Sequence, residues 1–257
     1  MSIALGLCFL VLVLLLLRQP VVAVALVVAG VGQMLWGRGQ PEDIAEDLWL
    51  ALDKEVLIAI PLYVLCGQLI SRGATARLLV DILQALTRRL SGGLGVACTL
   101  ACAFDAAISG SSVVTLLAVG SVMLPSLLQS GYDRRYALGA VMSGGTLGII
   151  IPPSIPLIIY GIVTETSIVS LFKAGLGPGL LLTFSFVVYG LWVNRHMPAQ
   201  DFDPGELATA LRRGVWAALM PVVVLGGMYG GWLSLTESAA LALAYAAAIE
   251  VLVHKSM

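Results

Sequence analysis

Apolar stretches recur along this chain at lengths suited to a lipid bilayer: residues 3–17, 20–36, 56–71, 137–162, 167–193, 214–231 and 234–253, with a further apolar region at 93–130. A membrane core about 30 Å thick takes about 20 residues of helix, because each residue rises about 1.5 Å. Only 11% of the 257 residues are charged and 59% are hydrophobic, at a mean hydropathy of +0.99, whereas soluble domains carry about 25% charged residues. Too little polar surface remains to keep such a fold in water. The predicted class is an all-α polytopic membrane protein whose surroundings are lipid. A net charge of −1 offers no basic face, which excludes nucleic acid as a partner. Cys8, Cys66, Cys98 and Cys102 lie in apolar stretches without metal-ligand spacing, and read as small buried hydrophobes.

The basic residues give an orientation. Sorted by alternate connectors, Arg18, Arg72, Arg77, Arg88, Arg89, Arg134, Arg135, Arg195, Arg212, Arg213 and Lys255 fall on one side, and Arg38, Lys54 and Lys173 on the other. Eleven against three makes the first side cytoplasmic, the N-terminus periplasmic and the C-terminus cytoplasmic. The first run has no basic segment before it and further spans follow at once, so it reads as a retained helix rather than a cleaved signal. Residues 74–90 carry Leu78, Leu79, Ile82, Leu83, Leu86 and Leu90 on one helical face and Arg77, Asp81, Gln84 and Arg88 on the other. Such a helix lies in the headgroup plane or packs on another element of the protein; both give this pattern. Glu42 to Leu52 is a weaker outer counterpart.

Two segments depart from regular spans. Residues 94–108 and 113–129 are apolar arms of about 22 to 26 Å, short for a full crossing, joined by Ser109-Gly110-Ser111-Ser112. Arginines flank the pair on both sides, so the chain enters and leaves at the cytoplasmic face. A re-entrant helical hairpin satisfies this, and so do two crossings with a tight outer turn. In the second segment, Gly144-Gly145-Thr146-Leu147-Gly148 runs into Pro152-Pro153-Ser154-Ile155-Pro156. Prolines remove amide donors and clash with the preceding turn, so a broken helix is expected with its gap near residue 150; a simple kink is the plainer alternative.

Interrupted helices at membrane depth point to a secondary transporter, because freed carbonyls coordinate a cation and half-helix N-termini attract an anion. Here Ser109, Ser111, Ser112, Thr146 and Ser154 offer hydroxyls, and Gly110, Gly145, Pro152 and Pro153 offer carbonyls. The expected cation is Na⁺, with Ser109, Gly110, Ser111, Ser112, Gly145, Thr146, Pro152 and Ser154 as its candidate oxygens. The helix restarting after the tip, with Ser111 or Ser112 as its cap, is a place for a substrate carboxylate, with Pro153 and Ser154 opposite. Asp105, one turn before the tip, is a carboxylic acid at membrane depth and therefore a functional candidate, unless it simply faces a watery vestibule or is protonated.

The run Ile60-Pro61-Leu62 to Gly67-Gln68-Leu69, then AISGSS (107–112), GYDRR (131–135), IPPSIPLIIYG (151–161) and GLGPGL (175–180) resemble the large membrane subunit of tripartite ATP-independent periplasmic (TRAP) transporters, the DctM-like family. The matches keep the family's order over nearly the whole chain. The resemblance implies the first repeat of an inverted-repeat, elevator-type fold, with about seven transmembrane helices, one re-entrant hairpin and one broken helix. It also implies Na⁺-coupled import of organic anions such as C4-dicarboxylates, sialic acid or 2-oxo acids across the bacterial inner membrane, with no organic cofactor. The implied partners are a small DctQ-like membrane subunit and a DctP-like periplasmic binding protein.

On the same footing, residues 1–92 are scaffold with an arm helix at 74–90, and 93–163 are the transport-domain hairpin and broken helix. Residues 164–213 are a long span and a cytoplasmic connector, and 214–257 begin a second repeat. Three departures stand out: no second hairpin is present, Leu235 replaces a proline, and Asp105 occupies a position that usually carries a small residue. The expectation is a truncated or split subunit that does not transport alone.

Two other classes fit the residues less well. An intramembrane serine hydrolase needs a base within reach of Ser109, Ser111 or Ser112, but His196 and His254 lie in polar segments at helix ends. An inert scaffold explains Gly226, Gly227, Gly230 and Gly231 as packing residues, but not a hydroxyl-rich tip facing a triple-proline break. No phosphate loop, zinc spacing or dinucleotide fingerprint is present, and the expectation is a transporter subunit that is not an enzyme.

Overall fold

The computed structural model describes residues 2–36, 41–199, 201 and 203–253. Arg38 and Lys255, which entered the sorting of charges, and His254 lie outside them. Among the described residues the chain is helical, without strands, as its composition predicts. It divides into two compact units, Met1–Lys54 and Glu55–Met257.

The first unit contains α1 (Ser2–Leu16), α2 (Val21–Trp36) and α3 (Pro41–Leu52). Arg18, in a left-handed conformation with φ 55°, turns the chain between α1 and α2. Leu5, Phe9, Leu12 and Leu16 of α1 are exposed.

The second unit begins with a 3₁₀ turn, Glu55–Ile58, that leads into α4 (Ala59–Arg72). Then follow α5 (Thr75–Thr87), α6 (Gly93–Ser109), α7 (Ser112–Gln129), α8 (Arg134–Thr146) and α9 (Ile155–Val163). The unit ends with α10 (Ile168–Val193), α11 (Pro204–Tyr229) and α12 (Leu235–Ala248), which continues as a π-helical turn, Ile249–Val253. Among the described residues five helical stretches are long and apolar enough to cross a membrane: Glu55–Arg72, Ser112–Gln129, Ile168–Val193, Pro204–Tyr229 and Leu235–Val253.

Two cores hold this unit together. Tyr63, Ile70, Phe172, Met220, Val224 and Ala242 join α4 to α10, α11 and α12. Val80, Leu83, Cys98, Cys102, Met123 and Val141 gather α5, α7 and α8 around α6. The buried face of α6 is built from Ala97, Cys98, Ala101 and Cys102, small enough to let several helices approach one axis. The cysteines at 66, 98 and 102 are buried, as their apolar surroundings predict, whereas Cys8, read from the sequence as buried too, is exposed on α1.

Local chemistry explains most of the helix ends. The GYDRR turn works through Gly131, left-handed at φ 82°, and through Asp133, whose carboxylate accepts from the Arg135 and Tyr136 amides at 3.1 and 3.3 Å. Ser234 and Glu237 form a reciprocal capping box at the start of α12, so Leu235 begins that helix without the proline. Apolar run length places the start of a span at 214, after a connector. Instead α11 runs unbroken from Pro204, capped by the Asp203 carboxylate on the Gly205 amide at 2.8 Å. Of the four glycines read as packing residues, Gly226 has nothing within 4 Å of where a β-carbon would stand, and Gly231 is needed for its φ of 75°.

The amphipathic helix forms as α5, and its apolar face is occupied. Leu79, Val80, Ile82, Leu83 and Ala85 are buried against α6, α7 and α11, while Leu86 and Leu90 remain exposed. Of the two arrangements left open by the sequence, packing on other elements of the chain accounts for most of this face.

Candidate functional site

Helix α6 ends because Gly110 adopts a left-handed conformation, φ 61° and ψ 15°, while its amide still donates to the Ala106 carbonyl at 3.1 Å. Ser111 is extended, and α7 restarts at Ser112. Two residues thus reverse the chain, with the helices packed together as a hairpin. Opposite it, α8 gives way to a 3₁₀ turn at Leu147–Ile149, and residues 150–154 are not α-helical. Pro152 and Pro153 have no amide hydrogen to continue a helix. Ser154 restarts it: its hydroxyl accepts from the Leu157 amide at 3.4 Å and donates to the Ile149 carbonyl at 2.7 Å.

The two interruptions meet. The Ile155 amide donates to the Gly110 carbonyl at 3.2 Å, directly joining break to tip. A β-carbon on Gly110 would collide with the Pro153 carbonyl oxygen. One on Gly148 would lie 2.7 Å from the Ser111 carbonyl carbon and 2.8 Å from the Ser112 nitrogen, and one on Gly145 would lie 3.4 Å from the Ser112 carbonyl oxygen. Gly67 of α4 closes a third side, with its would-be β-carbon 3.1 Å from Ser109 Cβ. The chain has glycine wherever backbone approaches backbone here.

The ten residues singled out from the sequence do not all stand alike. Ser109, Gly110, Ser111, Ser112, Gly145, Pro152, Pro153 and Ser154 line or abut the junction. Ser111 occupies the cap position of α7, yet its hydroxyl makes no cap hydrogen bond, so the first turn of α7 is left without a side-chain cap. The Ser112 hydroxyl is buried with no partner. Thr146 is exposed and its hydroxyl donates back to the Ser143 carbonyl at 2.6 Å, and the Ser154 hydroxyl is committed to the break itself. Asp105 is buried, and its Oδ2 accepts from Ser109 Oγ at 3.3 Å. Gly148, Gly67, the Ile149 carbonyl and Thr115, whose buried hydroxyl lies 3.0 Å from Ser109 Oγ, were not in the expected set. The first two had a visible signal, as glycines inside the quoted runs, and the last two had none.

Among the described residues no cluster of three or more His, Cys, Asp or Glu side chains occurs. His196 is exposed beyond α10, beside Arg195, and no histidine bonds to the tip serines among the described residues; the carboxylate on Ser109 is that of Asp105. Hydroxyls and bare backbone at facing helix interruptions, inside apolar elements, belong to membrane permeases rather than to hydrolases.

Comparison with known proteins gives the family. The chain belongs to the DctM component family of tripartite ATP-independent periplasmic transporters, whose family model matches residues 8–257. The ectoine TRAP transporter large permease protein TeaC of Halomonas elongata is 36% identical over 233 residues, covering 90% of this chain and 55% of the relative. The C4-dicarboxylate TRAP transporter large permease protein DctM of Pseudomonas aeruginosa is 37% identical, over 87% of this chain and 53% of its own length. The 2,3-diketo-L-gulonate TRAP transporter large permease protein YiaN of Escherichia coli is 32% identical, over 92% and 56%. These relatives are transporter permease subunits, not enzymes, and the chain spans little more than half of their length.

Proposed function

We propose that this chain forms the part of a Na⁺-coupled TRAP large permease that carries the first hairpin and broken helix, importing organic anions handed over by a periplasmic binding protein. The observation that carries this is the direct hydrogen bond from the Ile155 amide to the Gly110 carbonyl, which makes one junction of two helix interruptions. Na⁺ is cargo here, and it needs several oxygens at once. The partnerless Ser112 hydroxyl and the carbonyls of Gly145, Pro152 and Pro153 are the fitting donors, with Ser109, Gly110 and Ser111 beside them. The side-chain-uncapped start of α7 takes the substrate carboxylate, since amides and helix dipole both favour an anion there. Ser154 contributes by holding the break in shape, and Thr146 lies outside the cradle.

In this reading α6 and α7 form a re-entrant hairpin entered from the cytoplasm, α1 and α2 are scaffold spans, and α5 is the arm between scaffold and the moving domain at 93–163. The N-terminus is periplasmic, in the inner membrane, with a small membrane subunit as neighbour. The relatives' named solutes, ectoine, C4-dicarboxylate and 2,3-diketo-L-gulonate, indicate small organic solutes without selecting one. The test is Ser112→Ala in a complete transporter reconstituted in liposomes with its partner subunits. Na⁺ activation of uptake is expected to shift to at least about tenfold higher Na⁺, equivalent to about 1.4 kcal/mol of lost coordination. Unchanged Na⁺ activation in both Ser111→Ala and Ser112→Ala removes the tip from the cation site.

A further inference from the structure

The GLGPGL run lies within α10, and two of its glycines face the broken segment. A β-carbon on Gly175 would stand 2.9 Å from the Ile150 carbonyl oxygen, 3.4 Å from Leu157 Cδ1 and 4.0 Å from Pro152 Cγ. One turn on, a β-carbon on Gly179 would stand 2.9 Å from Ile151 Cγ1 and 3.7 Å from Ile151 Cα. Gly177, between them in sequence, has nothing within 4 Å. The Ile150 and Ile151 amides are held from within the segment, both donating to the Leu147 carbonyl, at 3.0 and 2.8 Å. The Ile150 carbonyl is placed differently. In a helix it would accept from the Ser154 amide, but Ser154 is extended, at φ −119° and ψ 121°. The broken segment therefore has two neighbours: Gly148, Pro153 and Ile155 meet the hairpin tip, while Ile150, Ile151 and Pro152 meet α10.

We propose that Gly175 and Gly179 are positioning residues of the cation site, with α10 as a back wall that fixes how far the carbonyls of the break reach toward the tip; this rests on the reading of the junction as a cation site. A methyl group on Gly175 meets a main-chain oxygen, which moves only with its whole peptide plane. Pro152 and Pro153 follow almost at once, and their rings fix φ, so few torsions remain to absorb the push before it reaches their carbonyls. Binding constellations have to be held to within about 0.5 Å. A displacement of that order changes the cradle although α10 lends the ion no atom. At Gly179 the collision is with a side chain, which can turn aside, so the same push arrives weakened. Pushed away from α10, the break closes on the tip, and a narrower cradle favours a smaller cation.

The test uses the cations alone as probes, on the full chain purified in lipid, by thermal unfolding at constant ionic strength as Na⁺ or Li⁺ replaces K⁺. Binding to the folded state raises the unfolding temperature by mass action, so the midpoint of the Na⁺ titration reports the site, and the unfolding temperature in K⁺ alone reports the fold. A misplacement of about 1 Å costs about a hundredfold, so Gly175→Ala is expected to move the Na⁺ midpoint about three- to tenfold higher and to improve Li⁺ relative to Na⁺. Gly179→Ala is expected to shift both in the same direction by less, and Gly177→Ala to match the wild type. A purely structural role lowers the unfolding temperature in K⁺ and leaves the Na⁺ midpoint and the Li⁺ preference unmoved; that result in Gly175→Ala overturns the proposal. So does a Gly177→Ala shift as large as that of Gly175→Ala. Should Gly175→Ala fail to fold, Gly179→Ala decides, and an unchanged Na⁺ midpoint there overturns the proposal as well. A wild type that Na⁺ does not stabilise over K⁺ is a separate failure: it removes the cation site itself, and the positioning role with it.

Discussion

Gly110 and Gly148 let tip and break touch because neither carries a β-carbon, and each predicts its own cost when one is added. Gly148→Ala forces a methyl against the Ser111–Ser112 peptide and is expected to destabilise the chain by about 1–3 kcal/mol. Gly110→Ala meets the Pro153 carbonyl and the left-handed backbone together, adding about 1–2 kcal/mol for the backbone alone. Gly226→Ala, with nothing within 4 Å, is expected to leave stability unchanged or raise it by up to about 1 kcal/mol. Thermal unfolding in one detergent, read for all three, checks the order. The place of the tip and of the break is legible in the sequence, since Ser-Gly-Ser-Ser and three clustered prolines leave a helix few options. The state of each hydroxyl is not. Ser112, Thr146 and Ser154 look equivalent as letters, yet one is unpartnered, one bonds back along its own helix and one holds the break. That choice depends on where the neighbouring carbonyls fall within about 3 Å, which spacing along the chain does not encode.

Helix α5 shows the same division between pattern and partner. Its apolar periodicity announces the helix, but what secures it is Glu250, fully buried in the π-helical turn after α12. The Glu250 carboxylate accepts from the Ala74 and Thr75 amides at 3.0 and 2.9 Å and from the Thr75 hydroxyl at 2.6 Å, capping the start of α5 from another helix. Gly73 is required beside it, because a β-carbon there would strike the carboxylate. At the far end Arg88 pairs with Glu206 of α11. Glu250→Ala strands two amides and is expected to cost about 1–3 kcal/mol, with faster hydrogen exchange at Ala74 and Thr75. Glu250→Gln keeps an acceptor and is expected to fall between. Equal exchange in all three proteins would mean the carboxylate does not hold the arm. Nothing in the sequence marked Glu250, since its partners lie 175 and 176 positions away.

For the whole molecule, the test is one of sidedness. Cys66, Cys98 and Cys102 are buried, so after removal of the exposed Cys8 single cysteines can be introduced against a silent background. Ser91→Cys and Ser130→Cys, at the outer ends of the hairpin arms and exposed, are expected to react with a membrane-impermeant maleimide from the cytoplasmic face. Thr166→Cys is expected to react from the opposite face. Ser111→Cys separates the two arrangements the sequence left open: if α6 and α7 cross fully it labels from outside as fast as Thr166→Cys, and if they are re-entrant it is far slower. The helical class and most element ends follow from apolar run length, but depth does not. At 17 and 18 residues, α6 and α7 reach about 26 and 27 Å, close enough to the membrane core that length alone does not choose.

The Glu250 cap also sets an order of events during synthesis. Residues 73–75 leave the ribosome long before residue 250 exists, so the arm emerges with its first amides open and waits out some 175 residues of translation for the carboxylate that closes them. Until then those amides lack the Glu250 carboxylate, and a turn made some 175 residues later is the one that locks the arm in place.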